Sequence, residues 1–274
     1  MKSICIKTNN TQIINYLLDN YAQIELDYVY ISNNSFRIYD NVIIHYLGND
    51  LKKFKKYFSK ILTNCIINYY EEKIIKWLIN YNYFYFNDIE KKRIFNICCN
   101  SLSNSHSLEN RKKMIQASIN KYITDNKSLI LDGFVNFRIK EYIKIIDNII
   151  DECVNSFLIE KEYSEFIDIL KIYVASSPSK ISLVHLVYID NKAYLLDSEK
   201  NMIPTDDEIL GAKYLSDITF SSNDYVLNTL LNLIPKKIII HSNNTVIDNF
   251  LTTIKLIFNK SVIISNEKII LNKI

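Results

Sequence analysis

Apolar side chains recur at steps of three and four through the middle of this 274-residue chain, and at steps of two near its ends. Val135, Ile139, Tyr142, Ile146, Ile149 and Cys153 draw one stripe of period 3.6. Tyr163, Phe166, Ile167, Leu170, Tyr173 and Val174 draw another after the charged Glu160-Lys161-Glu162. The stretch from Asp132 to Ser177 therefore reads as two consecutive helices. Asp132-Gly133 reads as the turn into the first, and Pro178 stops the second. Upstream, Phe54, Phe58, Ile61, Leu62, Cys65, Ile66 and Tyr69 predict helix between Asp50 and about Ser101. The aromatic run of residues 81–86 (YNYFYF) reads as a core segment.

The ends follow other periods. Residues 2–7 read as a short strand, and TQIINYLLDNYAQ as a helix with Thr11 as N-cap. Strand-like runs follow at 28–32, 35–39 and 42–46, with Asn33-Asn34 as a hairpin turn because Asn tolerates positive φ. Beyond Pro178 the runs ISLVHLVYID and KAYLLD form a β-hairpin about Asp190-Asn191, closed by Asn201 to Pro204. Asp206, Asp207 and Glu208 open a short helical or irregular stretch, and SSNDYVLNTLLNLIP is a capped helix. KKIIIH and SVIIS are continuous apolar runs of the kind covered on both faces, joined by a helix over SNNTVIDNFLTTIKLIF. Residues 236–265 thus predict one right-handed parallel β-α-β unit, and NEKIILN an edge strand.

The fold class that results is α+β. A central long-helix pair and helical bundle carries a small N-terminal α+β layer and a C-terminal mixed sheet, in which a β-hairpin precedes a β-α-β unit. The Ser/Asn-rich SLSNSHSLEN (101–110) is the expected boundary between an N-terminal region, 1–100, and a C-terminal region, 110–274.

Composition narrows the chemistry. Three glycines, Gly48, Gly133 and Gly211, stand too far apart for any glycine-rich phosphate loop. The net charge of +3 is too balanced to imply nucleic acid or an anionic membrane, and no apolar run is long enough to span a bilayer. The five cysteines show no C-x-x-C, and MKSICIKTNN lacks a secretory apolar core. Reduced, mostly buried thiols and a cytoplasmic location are expected.

Candidate chemistry is sparse. His241 ends the KKIIIH strand ahead of Ser242, Asn243, Asn244 and Thr245 at the expected helix N-terminus. There, backbone N–H groups beyond the carboxyl end of a parallel strand can hold a phosphate. These five residues are the candidate ligand site, against a structural histidine bonded to a loop carbonyl. His185, opposite its apolar neighbours in a strand, reads as a half-buried structural residue. Glu160, Glu162, Glu165 and Asp168 crowd one stretch, where Lys161 and Lys171 favour a charge-paired surface over a general acid/base pair. Lys52, Lys53, Lys55 and Lys56 read as a solvated helix face more readily than as a phosphate-contacting patch. No catalytic residue, metal ligand set or cofactor is assigned.

Three segments in this order carry a resemblance: Phe134-Val135-Asn136-Phe137-Arg138-Ile139-Lys140-Glu141-Tyr142, Glu160 to Lys171, and the strand with Val184-His185. Together they resemble the YtxC-like family, whose members are assigned to sporulation by association. The resemblance is strongest over about 130–245 and departs from the family's pattern at Ala175-Ser176-Ser177-Pro178, where a more polar segment is expected. It implies an endospore-forming Firmicute source, which the Ile-, Asn-, Lys- and Tyr-rich composition suits, and supplies no catalytic or ligand residue. The reading that follows is a non-enzymatic cytoplasmic protein serving sporulation through contact with an unidentified protein partner. The alternative is a small-molecule or phosphate-binding domain, degenerate as an enzyme, at His241 to Thr245.

Overall fold

The computed structural model describes residues 2–24, 26–103, 105–205, 221–242 and 248–265, with residues 105–107 described in backbone only. It is α+β, and the chain divides into two compact units, Met1–Leu158 and Ile159–Ile274.

In the first unit, alternation in KSICIKT buries Ile4, Ile6 and Thr8 on one face of β1 (Lys2–Thr8). Asn10 then caps α1 (Thr11–Ala22), its side chain accepting from the N–H groups of Gln12 and Ile13, so the cap sits one residue before Thr11. β2 (Val29–Ser35) and β3 (Asp40–Tyr46) form an antiparallel hairpin whose register pairs Val29 with Tyr46 and Ile31 with Ile44. That register places Asn33 and Asn34 inside β2 and moves the turn to residues 36–39, closed by the Phe36 N–H to Tyr39 carbonyl bond. Matching the apolar face of β2 to buried Val42, Ile44 and Tyr46 outweighs the local turn preference of two asparagines. β4 (Ser128–Ile130) completes the sheet in the order β2-β3-β1-β4, parallel to β1.

α1 and α5 (Leu131–Arg138) pack on this sheet, α2 (Leu51–Asn82) packs on α1, and α3 (Asp88–Leu102) and α4 (Ser105–Asp125) pack on α2, with the first part of α6 (Lys140–Ser176) in the same core. Asp50 caps α2, and a reciprocal Asn87–Glu90 capping box starts α3. The core includes Phe54, Phe58, Leu62, Cys65, Ile115, Ile119, Val135, Tyr142, Ile146 and Ile150. Residues 101–110 hold the end of α3 and the start of α4, so the serines and asparagines there do not form an extended loop. Of the aromatic run at 81–86, Phe86 is buried, whereas Tyr81, Phe84 and Tyr85 are exposed, which corrects the reading of that run as core. α2 ends at Asn82 and turns the chain there, so the helical face that would have buried these rings stops short.

The helix pair also departs from expectation. Asp132 and Gly133 lie in the first turn of α5, the break falls at Ile139 (φ −110°, ψ 38°), and α6 runs unbroken through Glu160-Lys161-Glu162. Glu and Lys are strong helix formers, so a charged triplet interrupts an apolar stripe without interrupting a helix.

In the second unit the hairpin of β5 (Leu183–Ile189) and β6 (Lys192–Leu196) turns at Asp190 and Asn191, both at positive φ as a type I′ turn requires. Met202 bridges to Leu196, closing the hairpin as expected. α7 (Ser222–Leu233) starts on a Ser221–Asp224 capping box, β7 (Lys237–Ser242) pairs parallel to β5, and α8 (Asn249–Phe258) leads to β8 (Val262–Ser265), parallel to β7. The order is β6-β5-β7-β8. One face of this sheet, with Val184, Leu186, Ile238 and Ile240, shares a core with Ile167 of α6, Val226 and Leu230 of α7, and Leu251 and Ile254 of α8. In β8, Ile263 and Ile264 are exposed, so this outermost described strand is not covered on both faces. Residues 206–208 and the NEKIILN segment lie outside the described residues.

Candidate functional site

The site begins with the second face of the β6-β5-β7-β8 sheet. Strand alternation that sends Val184, Leu186 and Tyr188 to the helix side sends His185 and Val187 to the other. The parallel register then sets Val187 beside His241 and His185 beside Ile239, so the two histidines are diagonal neighbours on one face. Their rings lie 5.2 Å apart at 30°, and His185 Nδ1 is 2.9 Å from His241 Nε2. His241 is buried and His185 half-buried.

Two imidazoles at this separation share one hydrogen bond: one ring donates its N–H and the other accepts with its lone pair. The bond engages one nitrogen of each ring, His185 Nδ1 and His241 Nε2. A proton added to either ring makes it a charge-assisted donor to its neighbour, so the pair can hold one proton between two bases. Asp197 follows β6 nearby. Its carboxyl is held below the usual range, first by the Asn201 N–H donating at 2.9 Å, with a smaller contribution from His185.

The same strand ends carry a second polar link on the helix side. Tyr188 donates its hydroxyl to Asp248, and burial followed by that carboxylate pushes the phenol up to about 12. Asp248 is also the N-cap of α8, accepting from the Leu251 N–H at 3.0 Å. The helix after β7 thus begins at Asn249, and its N-terminal donors face a carboxylate of the chain itself.

Of the five residues singled out in the sequence, His241 and Ser242 end β7, while Asn243, Asn244 and Thr245 lie outside the described residues. His185 and His241 were legible separately, each as the polar residue of an apolar strand. Their pairing depends on the β5–β7 register, which no local pattern specifies. The carboxylates of α6 form exposed ion pairs: Glu165 with Lys161 at 3.9 Å and Asp168 with Lys171 at 2.9 Å. Lys52, Lys53 and Lys56 are exposed beside buried Phe54 and Phe58. Among the described residues no three His, Cys, Asp or Glu side chains gather as metal ligands, and no helix is long and apolar enough to cross a membrane.

No curated protein and no solved structure matches the chain. The model of the YtxC-like family matches residues 56–263, from the second turn of α2 into β8. That span holds α3 to α8, the strands β5, β6 and β7 and both histidines, and with it this chain belongs to the YtxC-like family.

Proposed function

We propose that this protein works by holding another protein in the cytoplasm during sporulation, through the second half of α6. The observation that carries the reading is an apolar face left exposed among the described residues. Ile159, Phe166, Ile169 and Ile172 are each more than half exposed, and Tyr173 nearly so, while Tyr163 shares a hydrogen bond with Thr253 of α8 and Ile167, Leu170 and Val174 serve the core of the second unit. A helix that needed only its core stripe would carry polar residues at those other positions. Glu162 lies within this face in sequence, and Glu165 beside it engages Lys161. The occupant that fits is an amphipathic helix whose apolar stripe is flanked by Lys or Arg.

The test is a pull-down from sporulating cells with wild-type chain and with a Phe166→Glu/Ile169→Glu variant whose circular dichroism is unchanged. One protein near stoichiometry on the wild type, lost from the variant, is the expected result. Equal recovery by both, or a bare chain from both, ends the reading.

A second reading rests on the paired imidazoles at the end of β7: a small-molecule or phosphate site at His241, Ser242, Asn243, Asn244 and Thr245. Ligand bound to the folded state raises the melting temperature. A phosphate-dependent rise lost in His241→Ala supports this reading, and a rise that survives the substitution removes it.

A further inference from the structure

We infer that a groove in the first unit binds a small molecule joining a planar heterocyclic base to a phosphate, of mononucleotide size. The groove has a volume of about 700 Å³, within the range that holds such ligands. It runs between two helical faces. Tyr70, Lys73, Ile74 and Trp77 stand at three-and-four spacing along α2, and Asp132, Val135, Asn136, Lys140 and Ile143 stand along α5 and the start of α6.

Its floor is apolar, with Tyr70, Ile74 and Val135 buried. Its rim is not. Lys73 lies 5.3 Å above the Tyr70 ring, and among the described residues neither Lys73 nor Lys140 has a carboxylate at ion-pair distance. Two ammonium groups without carboxylate partners beside an apolar floor suit a phosphate attached to an apolar body. Trp77 is 57% exposed at the lip and stacks on Tyr81 with ring centroids 5.6 Å apart, a stack that a base would extend. Asp132 supplies the complementary acceptor. Tyr70 donates to its Oδ1 at 2.7 Å, which fixes the carboxylate and leaves Oδ2 to take an N–H from the base.

Trp77 is the chain's single tryptophan, so its fluorescence reports on this groove alone. The full chain would be titrated with AMP and GMP, and separately with adenosine and inorganic phosphate. Saturable quenching by a nucleotide is expected, weaker for nucleoside or phosphate alone. Lys73→Ala and Lys140→Ala should each weaken it about tenfold, the loss of one charged hydrogen bond. Lys52→Ala, on the exposed start of the same helix, should leave it unchanged. Absence of saturable quenching at millimolar nucleotide overturns the proposal, as does quenching that both groove-lysine substitutions leave intact. Tight binding of adenosine or phosphate alone, equal to that of the nucleotide, overturns it too.

Discussion

Arg111 shows how much one buried charge sets at the residue scale. Its side chain is 2% exposed, and Nη2 donates to the Leu102 carbonyl at 2.8 Å. Nε lies 3.5 Å from Glu71 Oε2, near enough for ion pairing but not aligned as a hydrogen bond, and Nη1 has no partner among the described residues. The same Glu71 oxygen accepts from Tyr142 at 2.5 Å, and burial, then that carboxylate, raises the phenol well above its usual range. Removing one member of a buried pair strands the other, whereas replacing both with apolar groups is close to neutral. Glu71→Ala should therefore destabilise the chain by about 3–5 kcal/mol, and Glu71→Leu/Arg111→Met by much less. Urea denaturation measures both, and equal losses would show that Arg111 is not held by its carboxylate. In the sequence Arg111 stands as the basic opening of RKKMIQ, one more charge at a helix start. Nothing local marks it as interior, because its burial comes from α4 beginning two turns earlier, at Ser105.

At the scale of elements, legibility follows how local the deciding interaction is. The Asp190-Asn191 turn was readable because positive φ at both positions is a property of those two residues. The β7-α8-β8 unit was readable because two apolar runs around one amphipathic helix have few other solutions. Asn33-Asn34 misled because register is a contest between a turn and a whole strand face, and β3 decided it. The charge triplet in α6 misled for a related reason: polarity marks which face meets water, while only backbone preference ends a helix. The same helix carries more apolar surface than its unit consumes, a surplus that a periodicity count registers as one wide stripe. Separating core from exposed face required exposure, residue by residue, for Ile167 against Phe166. The histidine pair belongs to this scale as well. Two unremarkable strand residues became a hydrogen-bonded pair only through the parallel register that brought them to 2.9 Å.

For the whole molecule, the division at Leu158–Ile159 carries a thermodynamic consequence. Each unit has its own hydrophobic cluster, one built on Ile4, Leu17, Phe58 and Ile146, the other on Val184, Leu230, Ile238 and Ile254. Cooperativity follows shared buried surface, so two separate cores favour two transitions over one. Trp77 lies in the first unit, and its emission follows that unit, whereas far-ultraviolet circular dichroism follows both. Leu17 and Leu230 are both fully buried, and truncating either to alanine should cost about 2–5 kcal/mol. Leu17→Ala should lower the midpoint seen by Trp77, while Leu230→Ala should leave that midpoint in place and shift only part of the circular dichroism change. If both substitutions move both probes together, the α6 helix that runs through the boundary couples the cores into one folding unit. The family's span of 56–263, which takes in parts of both, would then describe a single cooperative body.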